Sequence, residues 1–206
     1  MMLIGRDLSP FVRRTAIVLY ELGLPFERRI VASATDAEEI TRSNPLGRVP
    51  ALVADDDSVV IDSSAIIDYA LELAGDDQQL LAARGLLRRQ TLFYSALATG
   101  AMEKGVAASY ERVQKPKAYL YTPWFEKLQS QMANGLSTLE SALKEKPYFI
   151  SEKPTLAEIN AVVAYDFGML IHPEPTSRAA PINLPRLSRS LNQLPAFANT
   201  KWEGGF

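Results

Sequence analysis

Cysteine is absent from this sequence, and histidine occurs once in its 206 residues. The missing thiols exclude disulfides, cysteine-bound zinc, iron–sulfur clusters and a cysteine nucleophile in the protein itself. A single imidazole leaves little from which to build a histidine-rich metal site or a Ser–His–Asp triad. We therefore expect no metal in the functional site.

Long apolar runs and an excess of positive charge are also missing. No stretch approaches the roughly 18 consecutive apolar residues of a membrane span, and Arg6 and Asp7 interrupt the apolar start of the chain too early for a signal peptide. Lys and Arg number 22 against 24 Asp and Glu, so the net charge of −2 lacks the basic footprint of general nucleic-acid binding. We expect a soluble cytoplasmic protein that binds neither membranes nor nucleic acid.

The composition is otherwise that of a globular protein, 47% hydrophobic and 22% charged, and the first 75 residues alternate short strands with helices. Their order, β-α-β-α-β-β-α, predicts a small mixed sheet with one parallel pair and an antiparallel hairpin. The predicted elements are strand 2–4, helix 11–22 capped by Ser9-Pro10, strand 26–31, a short helix opened by a capping box at 35–38, hairpin strands 51–54 and 59–61, and a helix from Asp62-Ser63 to Ala74.

The rest of the chain favours helices throughout. We expect a linker at residues 76–80 and an all-helical domain at 81–206, with long helices at 80–113 and 122–144 and a capping box at Thr155–Glu158. The prolines between 173 and 185 predict an irregular segment, followed by a short helix at 186–193. His172 is expected to complement a helix dipole, and Asp166 to make a buried hydrogen bond.

Three segments of the first domain carry polar groups where a strand gives way to a helix or a hairpin. They are Ser9 at the start of the first helix, Asn44–Pro50 before the hairpin, and Asp62-Ser63 after it. All three can meet at one edge of the sheet. A helix N-terminus favours an anion, and a serine hydroxyl can donate a hydrogen bond to it. The alternatives are structural, because Ser9 and Asp62-Ser63 can be helix caps alone and Arg48 an ordinary solvated charge.

Six motifs in the same order resemble those of the cytosolic glutathione transferase family, and they extend over nearly the whole chain. The motifs are Ser9–Arg14, Gly23–Glu27, Asn44–Leu52 with its Val-Pro pair, Asp62–Ile66, Thr155–Ile159, and Leu184–Leu187 with Leu194–Phe197. The resemblance implies a thioredoxin-like, glutathione-binding domain at residues 1–75 followed by the all-helical domain with a hydrophobic-substrate site. It also implies a bacterial protein with a serine-type glutathione site.

The resemblance also implies the roles of individual residues. Ser9 stabilises the glutathione thiolate, with a backbone N–H of the Ser9–Phe11 segment as the alternative. Asp62 binds the γ-glutamyl amine and Ser63 the γ-glutamyl carboxylate, while Arg48, or alternatively Arg13, takes the glycyl carboxylate. The implied glutathione-binding residues are Phe11, Arg48, Val49, a cis Pro50, Asp62 and Ser63.

The implied function is conjugation of glutathione, as co-substrate rather than cofactor, to a small apolar electrophile in detoxification. Glutathione-dependent peroxidase or disulfide reductase side activities are compatible with it, although a mixed disulfide with the protein is not, since cysteine is absent. Leu8-Ser9-Pro10 replaces the Ser-Ser-Cys run of zeta-type isomerases, which makes that activity unexpected. The alternative is a catalytically weak protein-binding module of the stringent-starvation type.

A homodimer is implied as well, with the first domain of one subunit packed on the helical domain of the other. Small residues within the helix predicted at 80–113, including Ala96, Ala98, Gly100 and Ala101, permit the close helix packing that such an interface uses.

Overall fold

The computed structural model describes residues 1–32, 35–75, 77–202 and 204, and the chain forms two compact units. Residues 1–79 and 193–206 make up the first unit, and residues 80–192 the second. The C-terminal residues from 193 were expected in the helical domain, but they pack against the first helix of the chain through the buried Ala196 and Phe197. The expected linker at 76–80 includes Asp76, which lies outside the described residues.

The first unit has four short strands, three helices and a final helical turn. In chain order they are β1 (Met2–Ile4), α1 (Pro10–Glu21), β2 (Glu27–Arg29), α2 (Ala37–Ser43), β3 (Ala51–Val53), β4 (Val59–Ile61), α3 (Ser63–Ala74) and, after the second unit, α9 (Pro195–Ala198).

The strands form one mixed sheet in the order β2-β1-β3-β4, which confirms the predicted fold class. β1 and β2 are parallel, and the other two pairs are antiparallel. Ile4 and Ala51 pack with Ile40 of α2 on one face. Leu3 and Leu52 point to the opposite face, where α1 and α3 pack against each other. A cap at the start of α2 differs from prediction, since Asp36 and not Thr35 precedes the helix.

The second unit is helical. Its α-helices are α4 (Gly85–Val113), α5 (Thr122–Leu143), α6 (Leu156–Ile171), α7 (Pro173–Ala179) and α8 (Asn183–Leu191), with a 3-10 turn at Lys117–Tyr119.

Helix α4 packs along α5 and α6, which forms the centre of the second unit. The capping box at Thr155–Glu158 is present. The segment expected to be irregular contains α7, because Pro173 occupies a first helical position, where proline needs no N–H partner. No helix among the described residues is both long and apolar enough to cross a bilayer.

Candidate functional site

Three segments adjoin the ends of neighbouring strands on the same side of the sheet in the first unit. The last residue of β1, the first of β3 and the last of β4 are paired with one another across the sheet. The β1–α1 loop with Ser9, the loop that ends at Pro50, and the Asp62-Ser63 start of α3 therefore lie along one edge. The structure brings together the three segments that carry the candidate site residues.

Ser9 is the N-cap of α1, with an extended backbone (φ −72°, ψ 120°) and Pro10 at the first helical position. The Val12 N–H donates to the Ser9 Oγ at 3.4 Å, which is longer than the roughly 2.7–3.2 Å of an ordinary N–H···O bond. Ser9 is half-buried, and no described residue accepts its hydroxyl proton. The cap is therefore weak, and the hydroxyl remains available as a donor at the positive end of the helix.

Gly5 allows the loop before β3 to approach α1 closely. Its φ of +132° is one that L side chains rarely adopt, and a Cβ there would lie 2.5 Å from Val12 Cγ2 and 3.0 Å from Val49 Cβ. Only glycine fits without displacing one of these side chains. Val49 is thereby held against the segment that leads to Ser9.

The loop from residue 44 to residue 50 is organised by the buried side chain of Asn44. Its Nδ2 donates to the Arg48 carbonyl at 2.9 Å, and its Oδ1 accepts the Leu46 N–H at 3.0 Å. The Val49–Pro50 peptide bond is cis. The Arg48 side chain is exposed, so it is free to reach a ligand or solvent.

Asp62 and Ser63 have different surroundings at the start of α3. Asp62 is exposed, adopts a φ of +72°, and accepts the Ser64 N–H through Oδ1 at 2.7 Å. Ser63 is buried, and its Oγ accepts a hydrogen bond from Arg14 Nη1 at 2.9 Å. A non-glycine residue at this φ is uncommon and costs on the order of 1–3 kcal/mol, a strain typical of functional sites.

Two residues that support the site had no role in the sequence-based prediction. An Asx turn at Asn44 was detectable, because asparagine before Pro45 commonly starts a turn. Arg14 gave no such signal, because a charged residue on a helix usually faces solvent, whereas this one is buried. Arg13, the alternative contact for a glycyl carboxylate, is also buried, whereas Arg48 is exposed.

Polar groups buried in the second unit support its packing. The His172 Nε2–H donates to the Gly105 carbonyl at 2.8 Å, and its Nδ1 accepts from Gln129 Nε2 at 3.2 Å. Burial lowers the pKa of His172 below its ordinary value, and the nearby Arg112 adds to the effect. His172 stands at the C-cap of α6, so its expected role at the helix dipole stays a prediction, although the lowered pKa disfavours the charged imidazolium that this role requires.

Asp166 accepts hydrogen bonds from Ser188 Oγ and from Asn192 Nδ2, as expected, but it is half-buried rather than buried. The aromatic side chains of this unit differ in their exposure. Tyr94 stacks on Phe149 with ring centroids 4.6 Å apart. Phe93, Tyr110, Tyr119, Tyr121 and Trp124 are exposed. Within the described part of the chain, no group of three or more His, Asp or Glu side chains is arranged to hold a metal ion.

Comparison with known proteins gives the family of this chain. Residues 3–78 match the glutathione S-transferase N-terminal domain. An uncharacterized GST-like protein of Escherichia coli, YibF, is 30% identical over 143 residues, which cover 69% of this chain and 70% of that protein. The chain belongs to the glutathione S-transferase family.

Two further members of the family are similar over almost their whole length. Glutathione S-transferase 3 of Zea mays is 28% identical over 204 residues, covering 96% of this chain and 91% of that protein. A solved glutathione S-transferase from Methylobacterium radiotolerans, in complex with glutathione sulfonate, is 29% identical with a TM-score of 0.91 and covers 100% of this chain and 96% of that chain. The sheet edge with Ser9, Pro50 and Asp62 falls within the matched N-terminal domain.

Proposed function

We propose that this glutathione S-transferase family member is an enzyme that activates the thiol of glutathione for attack on a small apolar electrophile. The observation that carries the proposal is the convergence of three polar segments at one sheet edge, with the Ser9 hydroxyl available there. The similar Methylobacterium radiotolerans enzyme was solved with glutathione sulfonate, which supports a ligand of this chemistry.

Ser9 is the proposed catalytic residue. A free thiol with a pKa near 8.5 is only about 3% thiolate at pH 7. Lowering that pKa by about two pH units makes the thiolate the main form and requires about 2.7 kcal/mol of differential stabilisation. A hydrogen bond from the Ser9 hydroxyl and the N-terminus of α1 both favour the anion. The Phe11 backbone N–H, in the first turn of α1, is the alternative donor.

The ends of glutathione are proposed to bind around this thiol position. One oxygen of Asp62 caps α3 and the other has no described partner, so the carboxylate can also accept from the γ-glutamyl amine. The γ-glutamyl carboxylate takes the Ser63 hydroxyl and the free N–H groups at the start of α3. The Val49 backbone pairs with the cysteinyl peptide group, with Pro50 beside it. The exposed Arg48 side chain binds the glycyl carboxylate.

The second substrate is proposed to be a small apolar electrophile, with peroxides and external disulfides as further acceptors. The exposed Tyr110, Tyr119, Tyr121 and Trp124 of the second unit are candidates for contact with it. A role in detoxification follows from this substrate class. The cytoplasmic location expected from the sequence stays a prediction.

A homodimer is also proposed. Helix α4 exposes large apolar side chains, with Leu86 at 61% and Phe93 at 56% of their surface accessible. These two positions are seven residues apart and therefore lie on one face of the helix. Such a face fits a helix-packing interface repeated about a two-fold axis.

Capture on immobilised glutathione, followed by a conjugation assay with a chloronitrobenzene, tests the proposed function. We expect specific elution with free glutathione and turnover well above the uncatalysed rate. Glutathione binding without turnover on several electrophiles, peroxides and disulfides would instead favour the protein-binding module. Absence of glutathione binding would contradict both the enzyme and the assigned site.

A further inference from the structure

The guanidinium of Arg14 joins the second turn of α1 to the first turn of α3. Arg14 is only 3% exposed, and its Nη1 donates to Ser63 Oγ at 2.9 Å, with Ser64 Oγ at 3.4 Å. Ser63 is itself 4% exposed. An arginine side chain buried against two neighbouring hydroxyls is costly to place unless it is well hydrogen-bonded, so its position is specific.

The direction of this hydrogen bond determines what Ser63 can offer to a ligand. A guanidinium has donors and no acceptor, so Ser63 Oγ must act as the acceptor toward Arg14. A serine hydroxyl carries one proton, which then points away from Arg14. No described residue accepts that proton, and the Ser63 N–H lies in the first helical turn, where it lacks an intrahelical partner. The buried end of α3 therefore presents two donors.

We propose that Arg14 is a positioning residue that holds Ser63 as a hydrogen-bond donor and thereby makes the start of α3 selective for a carboxylate. The inference rests on the proposed function, in which Ser63 binds the γ-glutamyl carboxylate of glutathione. Without Arg14, the hydroxyl can rotate and donate within the protein, so that its lone pairs face the ligand and repel an anion. Both hydroxyls are contacted by the single nitrogen Nη1. The lysine side chain is one bond shorter than the path to that nitrogen, so a lysine ammonium does not take its place.

The test compares two ligands by calorimetric titration. One is glutathione, and the other is the analogue γ-aminobutyryl-cysteinyl-glycine, which lacks only the carboxylate of the γ-glutamyl residue. Wild type is compared with Arg14→Met and with Ile17→Val, a control that loosens the buried face of α1 while keeping the Arg14 guanidinium. The quantity of interest is the ratio of the two dissociation constants, since a general loss of stability weakens both complexes together.

We expect Arg14→Met to weaken glutathione binding by about tenfold while binding of the analogue changes little, so that the preference for the carboxylate falls by about tenfold. Ile17→Val should leave the ratio unchanged even where thermal unfolding shows reduced stability. Ser63→Ala should lower the ratio by a similar factor, and the double variant Arg14→Met/Ser63→Ala should add little, because both changes remove one interaction.

Two outcomes would overturn the inference. One is an unchanged ratio of dissociation constants in Arg14→Met, whether or not both complexes weaken. The other is an equal change of the ratio in Ile17→Val. If Arg14→Met does not fold, Arg14→Lys is titrated in its place, and a wild-type ratio in that variant overturns the inference equally. Failure of the proposed function is recognised separately, because wild type then binds neither ligand.

Discussion

At the residue scale, two neighbouring side chains at the start of α3 have different surroundings and different proposed roles. Asp62 is exposed and combines a helix cap with a free carboxylate oxygen, whereas Ser63 is buried against Arg14. Both are proposed to bind the γ-glutamyl end of glutathione rather than its sulfur. Their loss should therefore affect binding more than the chemical step.

Asp62→Asn isolates the charge of this carboxylate. Asparagine keeps a capping oxygen and tolerates the φ of +72°, so the backbone of α3 should be preserved. We expect the glutathione dissociation constant to rise by about tenfold or more, since a charge-assisted hydrogen bond contributes about 1.5–3 kcal/mol, while kcat changes less. Calorimetric titration measures the affinity, with Asp68→Asn, an exposed position of the same helix, as the control. If Asp62→Asn bound glutathione as tightly as wild type and the control, Asp62 would not bind the γ-glutamyl amine.

At the element scale, the start of α6 depends on one buried carboxylate. Glu158 is fully buried and accepts the Phe149 N–H and the Thr155 N–H, each at 2.7 Å. Glu158→Ala leaves both backbone donors without an acceptor, and we expect a loss of about 3 kcal/mol or more in the free energy of unfolding. Denaturant titration measures this loss, and the exposed Glu152→Ala should lower the free energy of unfolding by no more than about 0.5 kcal/mol. Comparable losses in the two variants would show that the capping box contributes little.

The buried His172 at the end of α6 also predicts that the free energy of unfolding depends on pH. Burial lowers the pKa of His172 in the folded protein, while the unfolded chain retains the ordinary value of 6.5. Below pH 6.5 the unfolded state binds more protons, so the free energy of unfolding falls as the pH decreases, by at most about 1.4 kcal/mol per pH unit. The loss stops once the pH is below the pKa of folded His172.

This histidine is the only one in the chain, so His172→Gln is a direct control. Urea titrations between pH 7.5 and pH 5.5 should show the decline in wild type and a flatter profile in the variant. Equal slopes in the two proteins would mean that His172 titrates normally in the fold.

The elements differ in how far local sequence predicts them. The Ser9-Pro10 cap, the hairpin and the capping box at Thr155 depend on neighbouring residues, and the structure contains all three. The start of α4 was predicted at Leu80, but the helix begins at Gly85, because the Leu80 carbonyl instead accepts the Leu156 N–H. Tertiary contacts of this kind override helix propensity.

In the candidate site, too, features set by neighbouring residues could be predicted from the sequence, and features set by distant contacts could not. Ser9, Pro50 and Asp62 stand in local motifs, so their meeting at one edge could be predicted from the order of strands and helices. The role of Arg14 could not, because its partner Ser63 lies 49 residues away and a charged helical position usually faces solvent. His172 likewise makes its buried hydrogen bond to the Gly105 carbonyl, which is 67 residues distant.

At the scale of the whole molecule, we predict that the exposed face of α4 forms the dimer interface. Light scattering at micromolar concentration should give about 46 kDa, twice the 22.8 kDa of the chain. Phe93→Asp should shift the mass toward the monomer. Val113→Asp, an exposed position about 200° round the same helix, should remain dimeric. A wild-type mass of one chain, or a Phe93→Asp protein that stays dimeric, would exclude this face as the interface.

The most direct test of glutathione activation is the pKa of the thiol in the bound complex, followed through thiolate absorbance as a function of pH. We predict a pKa about two pH units below the free value of roughly 8.5 in wild type and in the exposed Ser130→Ala control. In Ser9→Ala, the pKa of the thiol should return most of the way to the free value. The activation free energy of turnover should rise by about 2–4 kcal/mol, while the affinity for glutathione changes little. A wild-type thiol that titrates like free glutathione would contradict activation altogether, and equal pKa values in wild type and Ser9→Ala would contradict the role of Ser9.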